Sequence, residues 1–239
     1  MQSMNKTASI ILGLGIFLGL TMLGYQLGHA VIEHKLYDRS VTVKGLSERE
    51  YPADLVIWPI QFNVAGNELV EVYQTLDAHA EAIRAHLISH GIAADDISLS
   101  APSITDKSAQ QYGNDSAAPF RFTALRNVTV YSEKIAEVRQ VMNTLSVLGQ
   151  KGIVFTGDNY QSQTDYLFTR LNEIKPAMIE EATLNARKVA EKFAADSDSH
   201  LGKIKRASQG QFTISARDKN NPHIKKVRVV STIEYYLSD

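Results

Sequence analysis

Three histidines, His79, His86 and His90, come nearest to a chemical arrangement in this 239-residue chain. A metal site needs such clustering of imidazoles. All three fall on one flank of a helix, but His79 lies two turns from His86 and no carboxylate stands beside them at matching spacing. They read as a solvated helix flank, and no metal site is assigned. Glu180 and Glu181 are adjacent and so face different ways on a helix, which makes them no acid/base pair. The polar stretch Asp106 to Pro119 has no histidine, and its only acids are Asp106 and Asp115. The chain has no phosphate-cradling glycine loop, no His-Glu-x-x-His and no Gly-x-Ser-x-Gly elbow. With no cysteine, disulfides and thiolate metal sites are excluded. No catalytic, cofactor-binding or metal-binding residue is therefore assigned, and no cofactor is expected.

Charge narrows the partners. The formal net charge is -1, which gives no global attraction to nucleic acid. Basic residues gather late, at Lys203, Lys205, Arg206, Arg217, Lys219, Lys225, Lys226 and Arg228. They alternate with Ile204, Val227 and Val229, as on a half-buried edge strand guarded by lysine. A patch for anionic lipid or an acidic partner is the alternative.

The elements that must position these residues follow a membrane-competent segment. Ala8 to Tyr25 is uncharged and apolar, and Gln26 to Ile32 extends it. That length meets the requirement for a spanning helix. Lys6 precedes it, so the positive-inside tendency keeps the N-terminus cytoplasmic and exports the rest. An uncleaved signal anchor is expected; the alternative is a signal peptide cut after the small residues Gly28 and Ala30. Gly15-x-x-x-Gly19 and Gly24-x-x-x-Gly28 put small residues on one helix face, where two helices can approach closely. The expected division is an anchor and linker over 1–36 and one exported domain over 37–239.

In that domain, Val41 and Val43 predict a strand ending at Gly45, then a polar turn, Leu46 to Asp54. Val56, Trp58, Ile60, Phe62 and Val64 share one face of the next strand. Pro59 predicts an edge or bulged position there. A helix follows from Asn67–Glu68 to Ser89 and stops at Gly91. Ile97 to Thr105 reads as a strand, Phe120 to Tyr131 as another, and Glu133 to Leu148 as the second helix before a strand at Ile153 to Phe155. The repeated order suggests two split β-α-β units. Asp165 to Ile174 reads as a helical piece, and Pro176 as the first turn of a third helix. Met178, Ile179, Ala182, Ala186, Val189, Ala190 and Phe193 form that helix's apolar stripe. An antiparallel hairpin, Lys203 to Ser215 and Ile224 to Leu237, closes the chain. The fold class is α+β: a mixed or antiparallel sheet with about three helices behind one N-terminal transmembrane helix.

The stretch VTVKGLSEREYPADLVIW, Val41 to Trp58, resembles the opening of the SIMPL-domain proteins, exported bacterial proteins of the YggE type. The stretch KPAMIEEATLNARKVAEKFA, followed by Leu201-Gly202-Lys203-Ile204, is similar to that family's alanine-rich helix running into a Leu-Gly-Lys strand. The resemblance covers Ser40 to the C-terminus. It implies an α+β fold, residence in the periplasm or cell envelope, ring-like homo-oligomers and no established enzymatic activity. Stress defence is attached to some members, but a thiol-based mechanism is excluded here. The resulting expectation is a single-pass inner-membrane protein, held through residues 8–32, that works in the periplasm as a homo-oligomeric scaffold. A periplasmic enzyme with a dispersed site and a lipid- or ligand-binding module are the alternatives.

Overall fold

A computed structural model describes residues 6–37, 39–109, 119–156 and 163–239. It is an α+β protein with antiparallel sheets, and it begins with an apolar helix, α1 (Lys6–Tyr37). Ile10–His29 of α1 is long and apolar enough to cross a membrane or to serve as a signal sequence, and the rest of the protein buries none of it.

The chain forms two compact units. The central unit comprises Arg49–Ile174 and Thr213–Val227. The terminal unit comprises the chain up to Glu48, Lys175–Phe212 and Arg228–Asp239. The central unit is built on β2 (Leu55–Gly66), α2 (Leu69–Ser89), β3 (Ile97–Leu99), β4 (Ser103–Asp106), β5 (Phe122–Ser132), α3 (Ile135–Met142), α4 (Ser146–Gly149), β6 (Val154–Phe155) and β7 (Asp165–Leu167). Its sheet has the order β3-β5-β2-β6, with β4 on β5 and β7 on β2. β5 therefore lies between β2 and β3, and β2 between β5 and β6. These are two interlocked split β-α-β units. Val56, Trp58, Ile60 and Phe62 bury one face of β2 against Leu76, Ile83 and Leu87 of α2 and Val138 of α3. Each large side chain so buried contributes roughly 1.5–3 kcal/mol.

The terminal unit is a sheet of order β1-β10-β8, from β1 (Ser40–Pro52), β8 (His200–Gln209) and β10 (Ile224–Ser238), with α5 (Leu171–Asp196) on one face. Of β1, β10 and α5, only 40–48, 228–238 and 175–196, respectively, belong to this unit. β8 and β10 are antiparallel, as the closing hairpin requires, with register shifts between Glu234 and Leu237. β9 (Thr213–Ala216) pairs with β10, and Arg217 N–H donates to the Ile224 carbonyl at 2.8 Å within the central unit.

α5 meets the sheet through alanine. Ala182, Ala186, Ala190 and Ala194 are buried along it with Met178. A β carbon at Gly45 of β1 would lie 1.9 Å from the Ala182 carbonyl oxygen and 2.4 Å from the Ala186 nitrogen. Backbone thus rests on backbone, and only glycine fits. Asn185 Nδ2 donates to the Leu46 carbonyl at 2.9 Å, and Ser47 Oγ donates to Glu181 at 3.0 Å.

Several elements differ from the sequence reading. β1 does not turn after Gly45: Ser47 is buried and continues the alternation of Val43 and Gly45, so the strand runs to Pro52. Pro59 sits in the central strand, opposite Thr129. It is tolerated because β6 pairs with β2 at Phe62–Asn63 and β7 at Leu55–Ile57, leaving Pro59 between them. The strand over Ile97 to Thr105 divides around Pro102 into β3 and β4, and the helix over Glu133 to Leu148 breaks at Asn143–Leu145. Asp165–Leu167 is a strand, and α5 starts five residues before Pro176, placing the proline inside the helix. Val189 and Phe193 are exposed, because alanine alone makes the close contact. Of the Asp106 to Pro119 loop, 110–118 lies outside the described residues.

The Gly45 contact sets a stability prediction. Gly45→Ala lowers unfolding free energy by about 3 kcal/mol or more, the upper range for overpacking. Gly149→Ala, whose β carbon meets nothing within 4 Å, stays close to wild type. Urea unfolding of the two variants checks the contrast.

Candidate functional site

A cleft in the central unit lies where β2 begins. Its volume is about 540 Å³, and Asp54, Leu55, Tyr131, Glu133, Thr169 and Arg170 line it with Ala53. Backbone bonds place Asp54. Ala53 N–H donates to the His223 carbonyl at 2.8 Å, and Asp54 N–H donates to the Leu167 carbonyl at 2.9 Å. The Asp54 side chain, 16% exposed, accepts from Thr169 N–H at 2.9 and 3.0 Å. It also accepts from Arg170 N–H and Nε, both at 3.3 Å. Burial is the largest influence on this carboxyl and would raise its pKa; the Thr169 and Arg170 donors together outweigh burial and hold the pKa below its ordinary value. The Arg170 guanidinium lies 5.9 Å from the Phe168 ring, which stacks on Tyr51 at 5.3 Å.

This arrangement is a latch. Thr169 and Arg170 immediately precede α5, and Asp54 takes the N–H of both; that of Arg170 is one of the donors a helix start leaves unpaired. A carboxylate so engaged makes a poor general base. The position of the latch in the chain is informative, because Ala53-Asp54 belongs to the stretch that carries the sequence resemblance. Residues 41–231 match the SIMPL family model, described as "Protein of unknown function (DUF541)". The chain belongs to the SIMPL family. No curated protein matches it.

The other candidate residues of this SIMPL chain do not converge on one site. His86 Nε2 lies 2.8 Å from Thr144 Oγ1. That hydroxyl donates to the Val141 carbonyl, so it accepts from His86. The His86 and His90 rings are 4.2 Å apart, whereas His79 turns to Phe62 at 6.4 Å. Among the described residues, no three metal-ligating side chains cluster. Glu181 is the Ser47 acceptor, a packing role. Asp106 accepts from Arg121 at 2.8 Å and from Ser108, and these bonds, Arg121 first, lower its pKa. Asp115 lies outside the described residues.

Three of the late basic residues stand beside acidic partners. Lys205 meets Glu234 at 3.5 Å, and Arg228 meets Glu48 at 3.9 Å. Arg217 binds Asp218 at 2.9 Å, holding the Asp218 carboxyl at about 2. Sequence reasoning missed a cluster in the central unit: Arg139 Nη1 lies 3.1 Å from His223 Nε2, and Tyr166 meets the His223 ring edge-on at 6.0 Å. No local spacing announces it, since its members come from α3, β7 and the loop before β10.

Two acid responses follow. His79, His86 and His223 all have lowered pKa values, with burial the first cause. The unfolded chain therefore takes up protons first, and stability falls as pH drops through the unfolded value of 6.5. The His79 Nδ1 is buried without a partner. Replacing it with an apolar group, as in His79→Leu, is neutral or stabilising at pH 7 by up to about 1 kcal/mol, and the advantage widens at pH 5 in urea titrations. Asp54 acts lower. Its stabilising effect is full above its unfolded value of 3.8 and is lost as pH falls through the lower folded value. Asp54→Asn costs about 1–3 kcal/mol at pH 7 and flattens the acid limb below pH 3.8, as measured by the same titrations.

Proposed function

We propose that this SIMPL-family chain is a single-pass inner-membrane protein whose residues 37–239 work in the periplasm as part of a homo-oligomeric, non-catalytic scaffold. The observation that carries this reading is α1. Ile10–His29 has no Asp, Glu, Lys or Arg, and its side chains are exposed throughout. Twenty helical residues span about 30 Å, the thickness of the hydrocarbon core. The helix continues without a break to Tyr37, past the small residues where a signal peptidase would cut. Lys6 on the N-terminal side supports a cytoplasmic N-terminus.

Two features favour assembly. β1 and β8 are the outer strands in the order β1-β10-β8, and outer strands present unpaired backbone groups. The small-residue face of α1 offers a second, membrane-embedded contact. Scaffolding also fits the Asp54 cleft, whose carboxylate is committed to holding a helix start. Stress defence rests on the family alone.

The proposal is tested on the full chain. Alkaline carbonate washing leaves it in the membrane pellet, and native mass measurement in mild detergent returns a multiple of the subunit mass. Release by carbonate overturns the anchor; a monomer at working concentration overturns the assembly.

A further inference from the structure

We infer that the end of the terminal unit where β1 begins lies against the bilayer, with Phe193 and Tyr236 seated in the headgroup layer. The inference rests on the anchor reading above and adds a contact surface to it.

Chain connectivity carries the first step. α1 ends at Tyr37 and β1 starts at Ser40. Three residues reach at most about 11 Å, so Ser40 cannot leave the helix end. If the apolar run ends at Ile32, the five residues to Tyr37 add about 7 Å of helix, close to the depth of one headgroup layer. β1 therefore starts at the outer edge of that layer.

Hydrogen bonds identify what else stands at this end. Leu237 N–H donates to the Arg39 carbonyl at 2.9 Å, and Ser40 Oγ donates to Glu234 at 2.5 Å. Leu237 and Ser238 pair with Leu201 and His200, so the end of β10 and the start of β8 lie here. Arg39 Nη2 donates to Ser199 Oγ at 3.3 Å. Ser199 N–H donates to the Ala194 carbonyl at 2.9 Å, and Ser197 N–H donates to the Phe193 carbonyl at 3.2 Å. The last turn of α5 is thus tied to the same end.

That end carries exposed aromatic side chains. Phe193 is 57% and Tyr236 39% exposed. Tyr236 packs across Gly202, where a β carbon would lie 3.1 Å from it, and the Lys205 ammonium stands 5.5 Å from its ring. An aromatic ring beside a long cationic side chain suits the membrane interface, where the ring takes the apolar side and the ammonium reaches water. A second copy of the chain is the competing occupant. The bilayer is favoured because the covalent link already holds it within reach of these rings.

The chain has no cysteine, so one introduced cysteine is a unique labelling site. Nitroxide is attached to full-length Phe193→Cys, Tyr236→Cys and Leu46→Cys, each reconstituted in mixed phosphatidylcholine–phosphatidylglycerol vesicles. Leu46, exposed on β1, is the control, since six strand residues place it about 20 Å from Ser40. Flotation of the vesicles reports the anchor, and relaxation by oxygen against a water-soluble nickel chelate reports depth. The expected result is co-flotation, with an oxygen-to-nickel ratio several-fold higher at 193 and 236 than at 46. Co-flotation with equal ratios at all three positions overturns the inference and leaves the anchor standing. Immobilised labels shielded from both reagents show a protein occupant and also overturn it. Failure to float overturns the anchor reading and this inference with it.

Discussion

The contact between Gly45 and the backbone of α5 is the constraint on which the terminal unit depends. No side chain separates β1 from the helix there: the glycine and the flanking Ala182 and Ala186 allow the two backbones to touch. The approach lets Val43, Ile233 and Tyr235 close over Ala186 and Ala190 in one small core. Cores of this size are marginal, so polar bonds around the contact matter. Ser47 to Glu181 and Asn185 to Leu46 hold β1 in register where apolar area is scarce. The contact also joins an early strand to a late helix, which makes this unit one of long sequence separation and slow closure.

The central unit solves the same problem differently. Its split β-α-β sheet buries large side chains, with Phe62, Leu76, Ile83 and Leu87 fully enclosed. Asp54 then governs the segment that leads into α5. Its carboxylate takes the N–H groups of Thr169 and Arg170, directly before the helix start at Leu171, although Pro176 advertises a later start. A remote acid acting as a helix cap has no local signature, so sequence periodicity alone misplaces the boundary.

That case shows what was legible. The strand faces around Trp58, the stripe of α2 and the alternation Val227–Tyr235 were readable, because burial imposes a period of two or 3.6 on residue type. Ser47 was not, because a buried serine reads as a turn residue until its acceptor is known. Val189 and Phe193 were assigned to the core because apolar identity was weighed above size; the geometry admits only alanine. Of the candidate site, the Ala53-Asp54 pair was visible as a family feature, but its partners Thr169 and Arg170 are more than one hundred positions away. The Arg139, Tyr166 and His223 cluster is hidden for the same reason. The histidines of α2 were set apart from metal chemistry on spacing alone, and their partners Thr144 and Phe62 required the fold.

Together these features describe a SIMPL-family protein whose distinctive polar groups mostly serve its architecture. The carboxylates of Asp54 and Glu234 accept from groups at the start of α5 and of β1, and that of Glu181 accepts from Ser47 within β1. What remains unspent is outside the cores: an apolar helix with no protein cover, and strands β1 and β8 at the sheet's margins. The function proposed above assigns the first to the membrane and the second to other subunits. The most direct measurement of the central claim is protease protection in spheroplasts. Protease added outside removes residues 37–239 and leaves only a short membrane fragment containing α1. A full-length chain that stays protected until the membrane is permeabilised, while a known periplasmic marker is digested, contradicts the account.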